Sequence, residues 1–300
     1  MFSEQFKIGI FIEDCVTMLF AKKIFLFILF VLLSFGFILH RQINYLSGYT
    51  PSSKIDTATC TLRTVKNEAF KRGEFLKYRL HYGFINAGEA TLKITDEIKQ
   101  VAGRNTLHVV GNGITANTFD WFFKVRDKYE SYIDEEAIVP WVFIRRVNEG
   151  GYKIEQNQIF NHFKNTMDMN GKKFDVVEGV QDMTSAFYFA RTIDFSNAKV
   201  GDVFQFPCFV DDQVWPIRMK YMGKDTINSD LGRIRCIKFH PVVQQGRIFK
   251  RENDLNAWIT DDKNRIPVRV EAKVLVGSIK MDLTEYSGLV NQLAFEPKEK

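Results

Sequence analysis

From Glu74 onward the side chains alternate in character one residue at a time, and that period of two most restricts what this chain can build. Phe75, Lys77, Arg79 and His81 alternate with Leu76, Tyr78, Leu80 and Tyr82. An extended backbone puts the second set on an apolar face and the first on a largely polar one, which is a half-buried strand. GFINAG (residues 83–88) supplies a turn, after which Ala90, Leu92 and Ile94 alternate with Thr91, Lys93 and Thr95, so the two runs read as an antiparallel hairpin. The pattern recurs at residues 107–110, 139–147, 152–163, 203–210, 214–221, 233–239, 256–260, 267–274 and 278–286. Asn170-Gly171 marks a hairpin turn, because both residues tolerate the positive φ of a type I′ turn. Asp261-Asp262-Lys263-Asn264 marks another, between the Trp258 and Val268 strands; it lacks the alternating ligands and closing Glu of a calcium loop.

Helix is scarce. Residues 182–192 carry Met183, Ala186, Phe187, Phe189 and Ala190 on one face, with Asp182 or Thr184 closing the start, and read as a plug or brace against the sheet. A shorter helix is expected around 118–123, where Phe119, Trp121, Phe122 and Phe123 are too apolar to stay in water. That cluster either fills the core or lines the mouth of a hydrophobic site. With about a dozen strands and no βαβ rhythm, the expected fold is all-β and mainly antiparallel. It is a curled sheet, half-barrel or barrel with one or two short helices, because curling removes exposed edges.

Ahead of this domain, residues 24–39 read IFLFILFVLLSFGFIL, without a charge and directly after Lys22 and Lys23. A basic stretch before an apolar run is a targeting signal, and this run is apolar on every face except Ser34, unlike an amphipathic core helix. A spanning helix uses about 20 residues, more than this run offers, but no small-x-small cleavage site follows it. The reading favours an uncleaved anchor whose ends are extended by Lys23 and Arg41; cleavage is the alternative. Met18 opens MLFAKK, a more usual start for an exported chain than residues 1–17. The expected organisation is therefore a cytoplasmic or wrongly included N-terminus (1–23), a signal anchor or transmembrane helix (24–39), a tether (40–66) and one β-rich domain (67–296). With 28 phenylalanines and 45% apolar residues, that domain can bury a large core.

The net charge of +5 is spread through the strand patterns rather than clustered, so nucleic acid is not an expected partner. Cys15 precedes the apolar run, and no CxxC spacing occurs among Cys15, Cys60, Cys208 and Cys236. Cys208 and Cys236 either pair across neighbouring strands or stay as buried free thiols, the commoner state in an apolar run. No G-x-S-x-G elbow, phosphate-binding glycine loop or H-E-x-x-H helix is present, and the histidines at 40, 81, 108, 162 and 240 are isolated in sequence. Neither metal nor cofactor is expected. Asp211-Asp212 and Asp261-Asp262 fall in turns, where Asp bonds its own backbone. Arg145-Arg146 and Arg218 suit either a phosphate head group or a solvated strand surface.

Four blocks, FKRGEFLKYRLHYGFINAGEATLKI (70–94), MTSAFYFAR (183–191), LGRIRCIKFHPVVQQGRIFK (231–250) and AWITDDKNRIPVRVEAKVLVGSIKMDLTEY (257–286), together resemble an uncharacterised bacterial envelope family, domain of unknown function 3108. The resemblance runs over residues 67–289 and implies an exported, β-rich protein, with no activity attached. Together with the apolar segment at 24–39, that leads to the expectation of a periplasmic domain, anchored to the inner membrane or released if the signal is cleaved. A longer analogy of fold alone is to the half-barrel lipoprotein and lipid carriers of the periplasm. Two readings stay open. One is a non-enzymatic module, tethered by its N-terminal helix, whose concave face holds a lipid or another hydrophobic envelope component through Phe119, Trp121, Trp141, Trp215 and Trp258. The other is a hydrolase of envelope glycans or lipids with a site assembled from distant residues such as His81, His240, Asp261 and Glu271.

Overall fold

The computed structural model describes residues 61–121, 123–242, 254–273 and 277–297, apart from the side chains of 118 and 119. The expected membrane segment at 24–39, the tether up to residue 60, Cys15, Cys60 and Phe122 lie outside the described residues. Among the described residues no helix is long and apolar enough to cross a membrane.

Among the described residues fourteen strands form one antiparallel sheet: β1 (Phe75–Tyr82), β2 (Ile85–Val101), β3 (Arg104–Thr115), β4 (Arg126–Asp134), β5 (Pro140–Glu149), β6 (Tyr152–Asn161), β7 (Thr166–Met169), β8 (Lys172–Asp175), β9 (Val203–Val210), β10 (Gln213–Ser229), β11 (Gly232–Pro241), β12 (Leu255–Thr260), β13 (Pro267–Lys273) and β14 (Ser278–Ser287). A short helix, α1 (Asn117–Asp120), lies between β3 and β4, and α2 (Met183–Thr192) lies between β8 and β9. Strands adjacent in sequence are adjacent in the sheet, with one exception. The order runs from β8 back to β1, crosses to β14, and runs back to β9, so β8 and β9 are the two edges.

Curling brings those edges together through side chains. The Phe174 and Phe209 rings pack edge to face with centroids 5.2 Å apart, and Lys172 Nζ sits 2.9 Å from Asp212 Oδ2. The chain leading into α2 covers part of the β9 edge: Gln181 N–H donates to Pro207 O (2.9 Å) and Gln181 O accepts from Phe209 N–H (2.8 Å). Unpaired strand edges invite aggregation, and a four-residue β8 carrying Lys172, Lys173 and Asp175 presents little to pair with.

The inner face is made by the apolar partners of each alternation, Leu76, Tyr78 and Leu80 on β1 and Leu92 and Ile94 on β2, and α2 packs against it inside the curl. Asp182 is the N-cap; its carboxylate accepts from Thr184 N–H (2.6 Å) and Ser185 N–H (2.7 Å), while Ser185 Oγ accepts from Asp182 N–H (2.9 Å). That capping box satisfies backbone donors no helical carbonyl can reach. Ser131 Oγ of β4 also donates to Asp182 (2.6 Å), so the cap pins the helix to the sheet. At the other end the Arg191 guanidinium donates to both Glu74 oxygens (2.6 and 2.8 Å), to Ala69 O and to Asn264 O, with both charged groups fully enclosed.

Several expectations need correction. β4, β7 and β8 were not among the expected strands, and β2, β3 and β10 run longer than their apolar stretches. β4 (RDKYESYID) hides because its inward set, Asp127, Tyr129, Ser131 and Ile133, is half polar. The first turn is only Gly83-Phe84, since Ile85 already pairs with Tyr82. Cys208 and Cys236 are both free, and a disulfide across neighbouring strands is excluded because β10 separates β9 from β11. Asn170 and Gly171 both take positive φ (51° and 89°), as the type I′ turn requires.

Candidate functional site

Small residues on α2 leave room where the helix crosses the sheet. Ala186 and Ala190 lie one turn apart on the face toward β9–β13, and opposite them the inward residues of two strands recede: Ile217 and Met219 on β10, and Leu255, Ala257 and Ile259 on β12. Between helix and sheet lies a cavity of about 160 Å³. Its remaining walls are nearly all apolar, including Phe187, Phe195, Phe206 and Phe239, with the Cys208 thiol among them. Burial pushes that thiol well above its usual pKa, so it lines the space as a neutral, weakly polar group.

Two guanidinium groups border the cavity. Arg191 is committed to Glu74 and to backbone carbonyls, as described above. Arg265, in the β12–β13 turn, donates to Arg191 O (3.0 Å), while Arg191 donates to Asn264 O (2.9 Å), so the turn and the last turn of α2 hold each other reciprocally. The Asp262 carboxylate organises this turn by accepting from Asn264 N–H (2.8 Å) and Thr260 Oγ1 (2.8 Å).

A second group of buried polar side chains sits on the inner face of β4 and β5. Asp127 accepts from Asn148 N–H (2.9 Å), Glu149 lies against it, and Arg145, also enclosed, reaches toward Asp211 (3.4 Å). Burial, and then the neighbouring Asp127 charge, push Glu149 up to about 8. At neutral pH the two carboxyls therefore share one proton. Both side chains are buried, and the pair reads as part of the packing.

Residues 77–284 match the family described as protein of unknown function, DUF3108. The chain belongs to DUF3108. Among curated protein sequences none matches it. Solved structures that overlap the DUF3108 chain are distant. A β-barrel-like protein of the domain of unknown function DUF1849 from Brucella abortus is 10% identical, covers 76% of this chain and 99% of its own, and has a TM-score of 0.46. A hypothetical protein from Chlamydia trachomatis is 7% identical over 77% of this chain and 95% of its own, with a TM-score of 0.34. The Mycobacterium tuberculosis lipoprotein LppX is 11% identical over 71% and 85%, with a TM-score of 0.21. Likenesses this loose carry no argument about ligand or role.

The aromatic residues singled out in the sequence do not gather at the cavity. Trp141 is buried at the β4–β5 end, where its Nε1 donates to Asp134 (3.0 Å). Trp258 points to the opposite face of β12 from Leu255 and Ala257, and donates to Asp225 (2.8 Å) in a separate small core with Ile227, Ile234, Cys236 and Val268. Trp215 is half-buried and pairs with the cavity residue Cys208 across β9 and β10, without lining the space itself. Trp121 stands in solvent, Phe123 fills the core, and the Phe119 side chain lies outside the described residues. The hydrolase set is only partly brought together: His81 and Glu271 both lie opposite Lys280 in one row of the outer face, where His81 binds Asp282 (2.8 Å) and Glu271 pairs with Lys280 (3.5 Å), while His240 is near the end of β11 and Asp261 pairs with Lys224 (2.9 Å) at the other end of the strands. What sequence reasoning missed is the set Ile217, Met219, Leu255, Ala257 and Ile259. Their alternation was visible, but which inward residues leave a void depends on curvature that alternation does not encode.

Proposed function

We propose that this DUF3108 domain is a non-enzymatic envelope module that shelters the end of an acyl chain, or a hydrophobic group of similar size, between α2 and strands β9–β13. The observation that carries this reading is an apolar cavity kept open by small residues on a helix whose two ends are fixed by hydrogen bonds. A preformed apolar pocket is the usual form of a small-ligand site. Its size bounds the occupant. A dry apolar cavity of about 150 Å³ accommodates a benzene ring, so roughly six carbons fit. At about 0.8 kcal/mol per buried methylene that supplies about 5 kcal/mol, a hold near the millimolar range before any ordering cost. A long-lived complex therefore requires α2 to shift outward and admit more of the chain. The tether to the inner membrane and the periplasmic location belong to the same proposal and rest on residues 22–41.

The test uses the full chain, purified in a mild detergent, with its bound lipids extracted and identified by mass spectrometry, alongside Ala257→Phe, which fills the cavity from the sheet side. The expected result is acyl material retained by the native chain and largely lost from the variant, with circular dichroism spectra superimposable. Equal retention by both chains would sink the cavity reading.

A further inference from the structure

Antiparallel alternation sends the β1–β2, β3–β4 and β5–β6 connections out of the same end of the sheet, and each presents a large side chain to solvent. Phe84, in the two-residue β1–β2 turn, is 99% exposed; Trp121, just after α1, is 81% exposed; Tyr152, at the start of β6, is 53% exposed. Ile85 and Ile114 beside them are exposed as well. A two-residue hairpin turn favours Gly, Asn or Asp, and a phenylalanine at its tip buries nothing. Scattered surface apolar residues are ordinary, but three consecutive connections on one rim are not scattered.

The loops that carry them are held in place. Asp120 pairs with Arg126 and accepts from Thr115 Oγ1 (2.6 Å), which fixes the end of α1. The Phe123 ring occupies the space a Cβ would need at Gly150, whose φ is +56°, so the β3–β4 connection is seated on the β5–β6 turn. The tips sit on every second strand, about 10 Å apart. They form separate protrusions rather than a groove or a flat patch. Exposed Lys124 and Lys153 flank them; Asp120 is neutralised by Arg126 and Glu149 faces inward, while Glu155, two residues further along β6, is exposed. The described chain enters at the far end, where Val65 N–H donates to Glu136 O (2.7 Å).

We propose that this rim docks onto an anionic lipid bilayer, with Phe84, Trp121 and Tyr152 entering the interfacial region and Lys124 and Lys153 meeting the head groups. Convex tips suit a soft surface that closes around each one, whereas a rigid protein partner would need matching pockets. Trp and Tyr favour the bilayer interface, where one end of the ring is apolar and the other wet. Basic side chains add attraction to anionic lipids. The surface is distinct from the cavity and stands without it.

The test reads tryptophan fluorescence of the full chain in vesicles of brominated phosphatidylcholine, with and without phosphatidylglycerol. Trp141 and Trp258 are buried and Trp215 is half-buried, so they supply the same background in the native chain and in Trp121→Phe. The expected result is quenching of the native chain that is mostly lost in Trp121→Phe, deepens with anionic lipid, and is reduced by Phe84→Ser, which keeps Trp121. Both substitutions are at exposed positions and should leave the thermal midpoint unchanged. Equal quenching of the native and Trp121→Phe chains, or indifference to Phe84→Ser, overturns the proposal and returns the rim to a protein partner.

Discussion

At the level of single residues, the strongest signal is electrostatic. Arg191 and Glu74 are both enclosed, and each would carry a severe desolvation penalty alone; bidentate geometry and two backbone carbonyls offset it, so the pair fixes where α2 ends. The Asp127–Glu149 pair behaves differently, because two carboxyls cannot both ionise in a buried site that holds Arg145, with Tyr129 and Asp211 beside it. In the folded chain Glu149 keeps its proton to about 8, while the unfolded chain releases it near 4.5. Between those values the folded state binds more protons, so this group's contribution to stability is full at low pH and declines as pH rises. Urea unfolding followed between about pH 5 and about pH 9 should show the native midpoint falling, and Glu149→Gln, which cannot ionise, should fall less. Parallel curves for the two chains would contradict the shared proton.

At the level of elements, α2 is the piece on which the cavity depends, and its start is its weakest point. Asp182→Ala removes an N-cap, which costs about 1 kcal/mol in ordinary settings. Here it also strands the Ser131 hydroxyl and two helix N–H groups, each buried orphan costing about 1–3 kcal/mol. The expected loss is about 3 kcal/mol or more by chemical denaturation, with Asp182→Asn much milder because its amide oxygen still accepts; equal losses would mean the cap is not what holds the helix. This helix was legible in the sequence down to its apolar face, with the cap narrowed to Asp182 or Thr184, because capping and a 3.6-residue period are local. β1, β2 and β12 were legible for the same reason. β4 was not, since Asp127 and Ser131 take inward positions that an apolar–polar alternation assigns to hydrophobic residues. The cavity was not legible either. The tryptophans looked like ligand contacts by size and type, yet Trp141 and Trp258 have their indole N–H groups bound to aspartates elsewhere in the fold.

At the level of the whole molecule, the sheet has two junctions of unequal strength. β1 and β14 join the two ends of the domain through eight paired residues of backbone ladder. Closing so long a loop is slow to accomplish but adds only a logarithmic entropy term, so once formed the ladder is as secure as any hairpin. β8 and β9 meet instead through the Phe174–Phe209 contact, the Lys172–Asp212 pair and the two backbone bonds of Gln181. The exposed ion pair adds little, which leaves the rings, the enclosed Arg145 reaching Asp211, and Gln181 to keep the curl shut beside the cavity wall formed by Phe206 and Cys208. Low-stability openings concentrate where backbone bonds are few, so the molecule should open at this seam first. Phe174→Ala should therefore raise amide hydrogen exchange in β7, β8 and β9 while β1 and β14 stay protected to the same degree as in the native chain. If the variant exchanges faster everywhere by one factor, the sheet opens as a single unit, and the seam cannot be the route by which an apolar guest reaches the space beneath α2.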